Sequence, residues 1–360
     1  MAKAKTLLEA AHAAGDPNSH ESHVKRTRGL ESRLSAVMAE SSALKLRLRQ
    51  AEIELTQSEA MLQNILHTSD KINPRTIEKL KKHGGGQATA IICANDWHVE
   101  KNIEADSVNS INEFNLDIAS ARIKRLFQKS VYMLEFSRKI SNIKDAVLWA
   151  GGDLINGYIH EECEEGNFLG PAEASQWAGD QLAGGIDYLL KYGDLKQIIV
   201  PCSLGNHGRS TKKKRIATDY RSSWEWGMYH SLARIYRGNP RVVFKIDKGY
   251  HNWLDIQGHG VRFHHGDNIK FGGGVGGVHI PLRKKIGQWD KMGRAPIFDV
   301  LGHFHQFIDE WRYVISGCIC GFDSFSLAIG AEYQPPTQAF ITVDKTHGKV
   351  MALPMFVEAA

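Results

Sequence analysis

The chain has 360 residues, 42% hydrophobic and 24% charged, which is enough to bury a sizeable core. Net charge is +5, but residues 1–85 hold fourteen Lys/Arg against ten Asp/Glu, leaving only +1 for the remainder. Bulk charge therefore excludes a strongly basic nucleic-acid binder in the later part of the chain, and no apolar run approaches the roughly 18 residues that span a bilayer.

The opening, Met1-Ala2-Lys3-Ala4-Lys5, leads into a short Ala-rich helix rather than a signal peptide, so a cytoplasmic location without membrane attachment is expected. Residues 1–28 are Ala-rich and then polar, with Gly15-Asp16-Pro17-Asn18-Ser19 as a helix breaker. From Leu30 a seam recurs at alternating spacings of four and three: Leu34, Val37, Ser41, Leu44, Leu48, Ala51, Leu55, Ser58, Leu62 and Ile65. No Pro or Gly interrupts it. That heptad pattern predicts a coiled-coil helix over 29–67 and self-association into a homo-oligomer, with packing on its own domain as the alternative. Asn73-Pro74, the basic stretch from Lys79 to Lys82 and Gly84-Gly85-Gly86 mark 68–87 as a linker.

The character of the sequence then changes, and 88–360 reads as one domain. Strands are predicted at 88–94, 146–150, 197–203, 242–246, 261–263, 297–301, 313–316 and 339–343. Helices are predicted at 118–139, 172–192 and 222–236, and 280–289 is helical or looped. Alternation of this kind argues for an α/β fold with a mainly parallel sheet covered on both faces. The five cysteines (93, 163, 202, 318 and 320) have no CxxC spacing, which fits small buried hydrophobes in a reducing compartment better than disulfides or a zinc site.

Ligands bind beyond the carboxyl ends of strands in such sheets. The segments that follow five successive predicted strands are Asn95-Asp96-Trp97-His98, Gly151-Gly152-Asp153, Gly205-Asn206-His207, His264-His265-Gly266-Asp267 and Gly302-His303-Phe304-His305. One such ending is ordinary turn chemistry. Five in order are hard to reach by chance. Carboxylates, imidazoles and a carboxamide without thiolate suit two borderline divalent ions, which can clamp both oxygens of an in-line displacement.

These five segments resemble, in order, the D-x-H, G-D, G-N-H, H-G and G-H-x-H motifs of the calcineurin-like metallophosphoesterases, over roughly 88–345. The resemblance implies a sandwich of mostly parallel β-sheets flanked by helices, here with a helical coiled-coil arm. It implies two divalent metal ions, manganese first, with iron, zinc or magnesium as alternatives. Asp96, His98 and His305 would hold one ion and Asn206, His265 and His303 the other, with Asp153 bridging. His207 would face the substrate phosphoryl group and assist the leaving oxygen. His264 competes with His265 as the ligand, and His265 is favoured because the family's ligand directly precedes the glycine. Gly208 stands where many members carry an acidic residue that orients the histidine, which makes Asp267 a candidate for that task.

Within the superfamily the chain is most similar to the DNA-repair exonuclease branch and to phosphoesterases of tailed phages, in which case it would work in the host cytoplasm. That points to a phosphodiester hydrolase acting on nucleic acid or nucleotide. A phosphomonoesterase and an assembly protein on an inactive phosphoesterase fold are the alternatives. Arg209 and Lys212, in the run that ends at Arg215, are candidates to bind substrate phosphate, against a solvated-surface reading. Gly272 to Gly277 reads as a lid loop rather than a dinucleotide site. Gly157 to Glu165 is an acidic insertion, and Trp97 is the tryptophan expected near the metals.

Overall fold

The computed structural model describes residues 17–69, 86–270 and 276–358. The chain divides into two units, residues 1–81 and 82–360. Within the first, α1 (Pro17–Ser69) is one unbroken helix of 53 residues. It begins twelve residues before the expected 29, because Pro17 opens it rather than breaking it. Proline's missing N–H costs nothing in a first turn, where N–H groups have no intrahelical acceptor. The Ala-rich start and most of the expected linker lie outside the described residues.

The second unit opens with β1 (Gln87–Ala94), α2 (Leu116–Ser137), β2 (Asn142–Ala150), α3 (Glu161–Gly166), α4 (Pro171–Tyr192) and β3 (Gln197–Cys202). There follow α5 (Trp224–Ile235), β4 (Val242–Ile246), β5 (Asn252–Ile256), β6 (His259–Phe263), α6 (His279–Asp290) and β7 (Phe298–Leu301). The last elements are β8 (Ile308–Glu310), β9 (Tyr313–Ile315), α7 (Ser324–Ala328), β10 (Thr337–Asp344) and β11 (Gly348–Phe356). Among the described residues no helix is long and apolar enough to cross a membrane.

Two mixed sheets form a sandwich of the kind the motif resemblance implied, where strand–helix alternation alone suggested a single mainly parallel sheet. One has the order β11-β10-β1-β2-β3-β4 and the other β5-β6-β7-β9-β8. Parallel pairing is confined to β1-β2-β3-β4 and to β6-β7-β9. The remaining pairs are antiparallel. Hairpin strands can add to an edge without a crossover helix, which is why the edges differ from the centre.

Side-chain alternation along β1 explains the layers. Ile91 and Cys93 point between the sheets and meet Val261, Phe263, Phe298 and Val300. Ala90 and Ile92 point the other way, into a core shared with Ile123 and Leu126 of α2, Leu182 and Ile186 of α4 and Leu232 of α5. The outer face of the second sheet is covered by Leu282 and Ile286 of α6, packed with Leu301, Tyr313 and Ile315. Strands sandwiched in this way must be apolar on both faces, so their polar residues are displaced to their ends.

One polar pair is retained inside. Arg262 of β6 donates from Nε to Asp299 Oδ1 of β7 at 2.5 Å and from Nη2 to Oδ2 at 3.1 Å, and both side chains are buried. Its guanidinium lies between Trp253 and Trp289, 5.4 and 5.3 Å from the ring centroids, and also reaches Asp290 at the end of α6. Replacing Asp299 by alanine would leave that cation with Asp290 as its one carboxylate and its Nε without an acceptor. Asp299→Ala should lower unfolding free energy by about 1–3 kcal/mol in a urea titration.

Candidate metal centre

The strand ends converge through backbone hydrogen bonds made by the motif loops themselves. Past β1, Asp96 N–H donates to Gly152 O and His98 N–H to Asp153 O, joining the first motif to the second. Asp153 Oδ1 accepts His207 N–H at 2.7 Å, which adds the third. His303 N–H donates to Asp96 Oδ2 at 2.8 Å, and Gly302 N–H to His265 O, which brings in the fifth and fourth. Gly205 allows the second and third loops to touch, since a Cβ there would sit 2.0 Å from Asp153 Oδ1.

Five of the seven candidate ligands adopt the left-handed backbone: Asp96 (φ 50°), His98 (47°), Asp153 (51°), His303 (71°) and His305 (56°). Asp and His tolerate this region better than most residues. Each such residue still costs on the order of 1–3 kcal/mol, and strain of this kind clusters at functional sites. It turns the chain sharply at the strand end, so that side chains which would have pointed into the sandwich point at one another.

Three histidines are held by their Nδ1 atoms. His98 Nδ1 donates to Asn156 Oδ1 at 3.1 Å, His265 Nδ1 to Gly151 O at 2.9 Å and His207 Nδ1 to Asn156 O at 2.8 Å. An oxygen acceptor at Nδ1 fixes the tautomer and leaves Nε2 as the lone pair, the usual preparation of a metal-binding imidazole. The Nε2 atoms of His98, His265 and His305 surround Asp96 Oδ1, at 4.0, 3.9 and 3.5 Å respectively. His265 Nε2 is also 2.9 Å from Asp153 Oδ2, and the Nε2 atoms of His98 and His305 face each other at 3.2 Å.

His264 is buried on the opposite face of its strand, 3.4 Å from Asp299 and packed against Tyr250, His251 and Trp289. Of the two adjacent histidines, it is His265 that the fold brings to the centre.

Divalent ions fit this arrangement. Asp96 Oδ1 and Asn206 Oδ1 are buried without a hydrogen-bond partner. Three sets of side chains hold their donor atoms within 4.8 Å of one another: His98, His305 and Cys320; His98, Asp153 and His207; and Asp153, His265 and His303. The electrostatics agree. Burial opposes charge on Asp153, yet His265, His207 and His98 hold its pKa well below the usual carboxylate range. Burial likewise disfavours a charged His265, but Asp153 and Asp96 raise it to about 10. The carboxylates demand cations, and protons on imidazole meet that demand where metal ions would otherwise do so.

Several neighbours were not evident from the sequence. Asn156, three residues after Asp153, orients two histidines at once, with Oδ1 on His98 and its carbonyl on His207. Asp267 does not take that role: it is paired with Lys214 and lies near Tyr250. Glu225 of α5 lies against Gly208 but binds backbone rather than the His207 ring, whose Nδ1 is held by Asn156 O. The two Glu225 oxygens accept Leu154 N–H at 2.7 Å and Gly205 N–H at 2.9 Å, clamping the second and third motif loops. A Cβ at residue 208 would lie 2.8 Å from Glu225 Cγ, so the glycine makes room for this clamp. Glu100 does the same for the N–H groups of Asn156 and Gly157. Burial raises Glu225 to about 8 and Glu100 to about 7.

Cys320 corrects the expectation of a thiol-free centre. Its Sγ lies 4.0 Å from His305 Nδ1. A hydrogen bond from Cys318 lowers its pKa to about 5 against the effect of burial, helped by His305.

The residues of the basic run take three different positions. Arg209 spends its donors on Asn206 O and Thr211 O, bracing its own loop. Lys212 is exposed and makes no hydrogen bond or ion pair to a candidate ligand among the described residues. Lys214 is the lysine that turns inward, onto Asp267 and 5.2 Å from the Tyr250 ring. On the other side Lys101 pairs with Asp323. Trp97 is fully buried in the helix-side core and offers no stacking surface. The expected lid falls largely at 271–275, outside the described residues, and the acidic insertion includes the short α3.

No protein-family model and no curated protein matches the chain. Among solved structures it is similar to Vps29 of Chaetomium thermophilum, at 11% identity over 72% of this chain and 84% of that one, with a TM-score of 0.31. A likeness at that level fixes neither family nor function.

Two outcomes are expected. Glu225→Ala leaves two buried N–H groups without acceptors and should cost about 2–5 kcal/mol in urea unfolding, and adding Gly208→Asp in the vacated space should recover part of the loss. Manganese at a hundredfold excess over its dissociation constant should stabilise the chain by about 2.7 kcal/mol in calorimetry, and Asp153→Asn should reduce that gain.

Proposed function

We propose that the chain is a metal-dependent phosphoesterase of the calcineurin-like type that cleaves phosphodiesters of nucleic acid or nucleotides. The observation that carries this reading is the convergence of five ordered strand-end motifs on one buried cluster, with imidazole Nε2 atoms from three of them within 4.0 Å of Asp96 Oδ1 and the other two joined to it through Asp153.

Asp96, His98 and His305 would hold one ion and Asn206, His265 and His303 a second, with Asp153 between them. Bound ions would supply Lewis acidity at the phosphoryl oxygens and make water a competent nucleophile near neutral pH. The chain's own part is positioning and proton supply. His207 stands edge-on to His98, with ring centroids 4.6 Å apart, so it borders the centre. With Nδ1 tied to Asn156 O, its Nε2 is the atom left to meet substrate. Burial lowers the pKa of His207, so the imidazole is neutral before substrate arrives. An incoming phosphate anion works the other way and favours the imidazolium, which can donate to the leaving oxygen.

The diester preference rests on the resemblance of the motifs and is tested directly. With manganese, bis-p-nitrophenyl phosphate should be hydrolysed faster than p-nitrophenyl phosphate, and the reverse order would favour the monoesterase. His207→Ala should retain metal by elemental analysis and lose about 10²–10⁴-fold in turnover, whereas Asp153→Asn should lose metal and activity together. An unimpaired His207→Ala variant would remove the histidine from the mechanism.

A further inference from the structure

We infer that α1 is one strand of a parallel, in-register, two-stranded coiled coil whose other strand is a second copy of this chain. Leu34, Val37, Leu44, Leu48, Leu55 and Leu62 lie on one heptad frame and are 56–62% exposed. A helix of 53 residues draws most of its stability from covering such a stripe, not from propensity.

The charges flanking the stripe identify the cover. In this frame the g positions include Arg26, Glu40, Arg47 and Glu54, and the e positions five residues further on hold Glu31, Lys45, Glu52 and Glu59. A parallel, in-register pair sets each g residue against that e residue of the other strand. Arg26 then meets Glu31, Glu40 meets Lys45 and Arg47 meets Glu52, each twice by symmetry, with Glu54 against Glu59 as the one unfavourable match. None of the six residues in the favourable pairs has an ion-pair partner on its own helix among the described residues, where Lys25–Glu21 is the pair formed.

Sedimentation equilibrium of the full chain tests the proposal. The parent chain should be a dimer, and Leu48→Asp with Leu55→Asp should be a monomer. Lys45→Glu should weaken dimerisation about tenfold by placing glutamates opposite Glu40 on both sides. Adding Glu40→Lys to that variant should restore affinity. An antiparallel pair sets e positions against e positions and g against g, so residue 45 would not meet residue 40 and the second substitution would then not rescue. Failure of rescue overturns the parallel orientation. A monomeric parent, a trimer or tetramer, or a dimer that survives the paired aspartates overturns the proposal as a whole.

Discussion

The three oxygens of Asp153 hold three different motifs. Its carbonyl accepts His98 N–H, Oδ1 accepts His207 N–H, and Oδ2 faces His265 Nε2. The remaining motif, around His303 and His305, is attached at one remove through Asp96 Oδ2 and His265 O. A buried carboxylate is tolerable only where donors and positive charge surround it, and here those groups are the candidate ligands. The charge on Asp153 and the assembly of the centre are therefore one requirement: neither is stable without the other.

Around that hub, backbone strain and hydrogen bonding work together. Left-handed turns at Asp96, His98, Asp153, His303 and His305 aim the side chains, and the Glu225 and Glu100 clamps stop the loops from relaxing. Each clamp draws on an element outside the motif it steadies. Glu225 comes from a helix packed on the sheet, so the seating of α5 on its core is felt in the spacing of the second and third loops.

The motifs were legible in the sequence because a strand buried on both faces must be apolar, which leaves Asp, Asn and His conspicuous at its end. The same logic located β1, β2, β3 and β7 closely. It missed β5, β8 and β11, edge strands whose half-buried and exposed residues give no fully buried run, and these supply antiparallel edges of the two sheets. The orienting groups were illegible for another reason. Asn156, Glu100 and Glu225 act on backbone N–H groups or imidazoles set by tertiary contact, and nothing in their local sequence announces a partner. Lys212 and Lys214 show the same limit. In a loop without periodicity, which lysine turns inward depends on where Asp267 lies. Trp97, between two candidate ligands, turns into the helix-side core, because a sharp turn sends neighbouring side chains to different sides.

The Nδ1 acceptors differ in kind. His265 and His207 lean on the carbonyls of Gly151 and Asn156, whereas His98 leans on the side chain of Asn156. A main-chain carbonyl remains an acceptor whatever side chain its residue carries, as long as the loop keeps its place; at Gly151 a Cβ would meet Asn95 and Trp149 at 2.6 and 2.7 Å and displace it. The anchor of His98 is a side chain, lost outright when Asn156 is truncated. The half of the centre built around His98 is therefore the one that a single substitution can unfasten without moving the backbone.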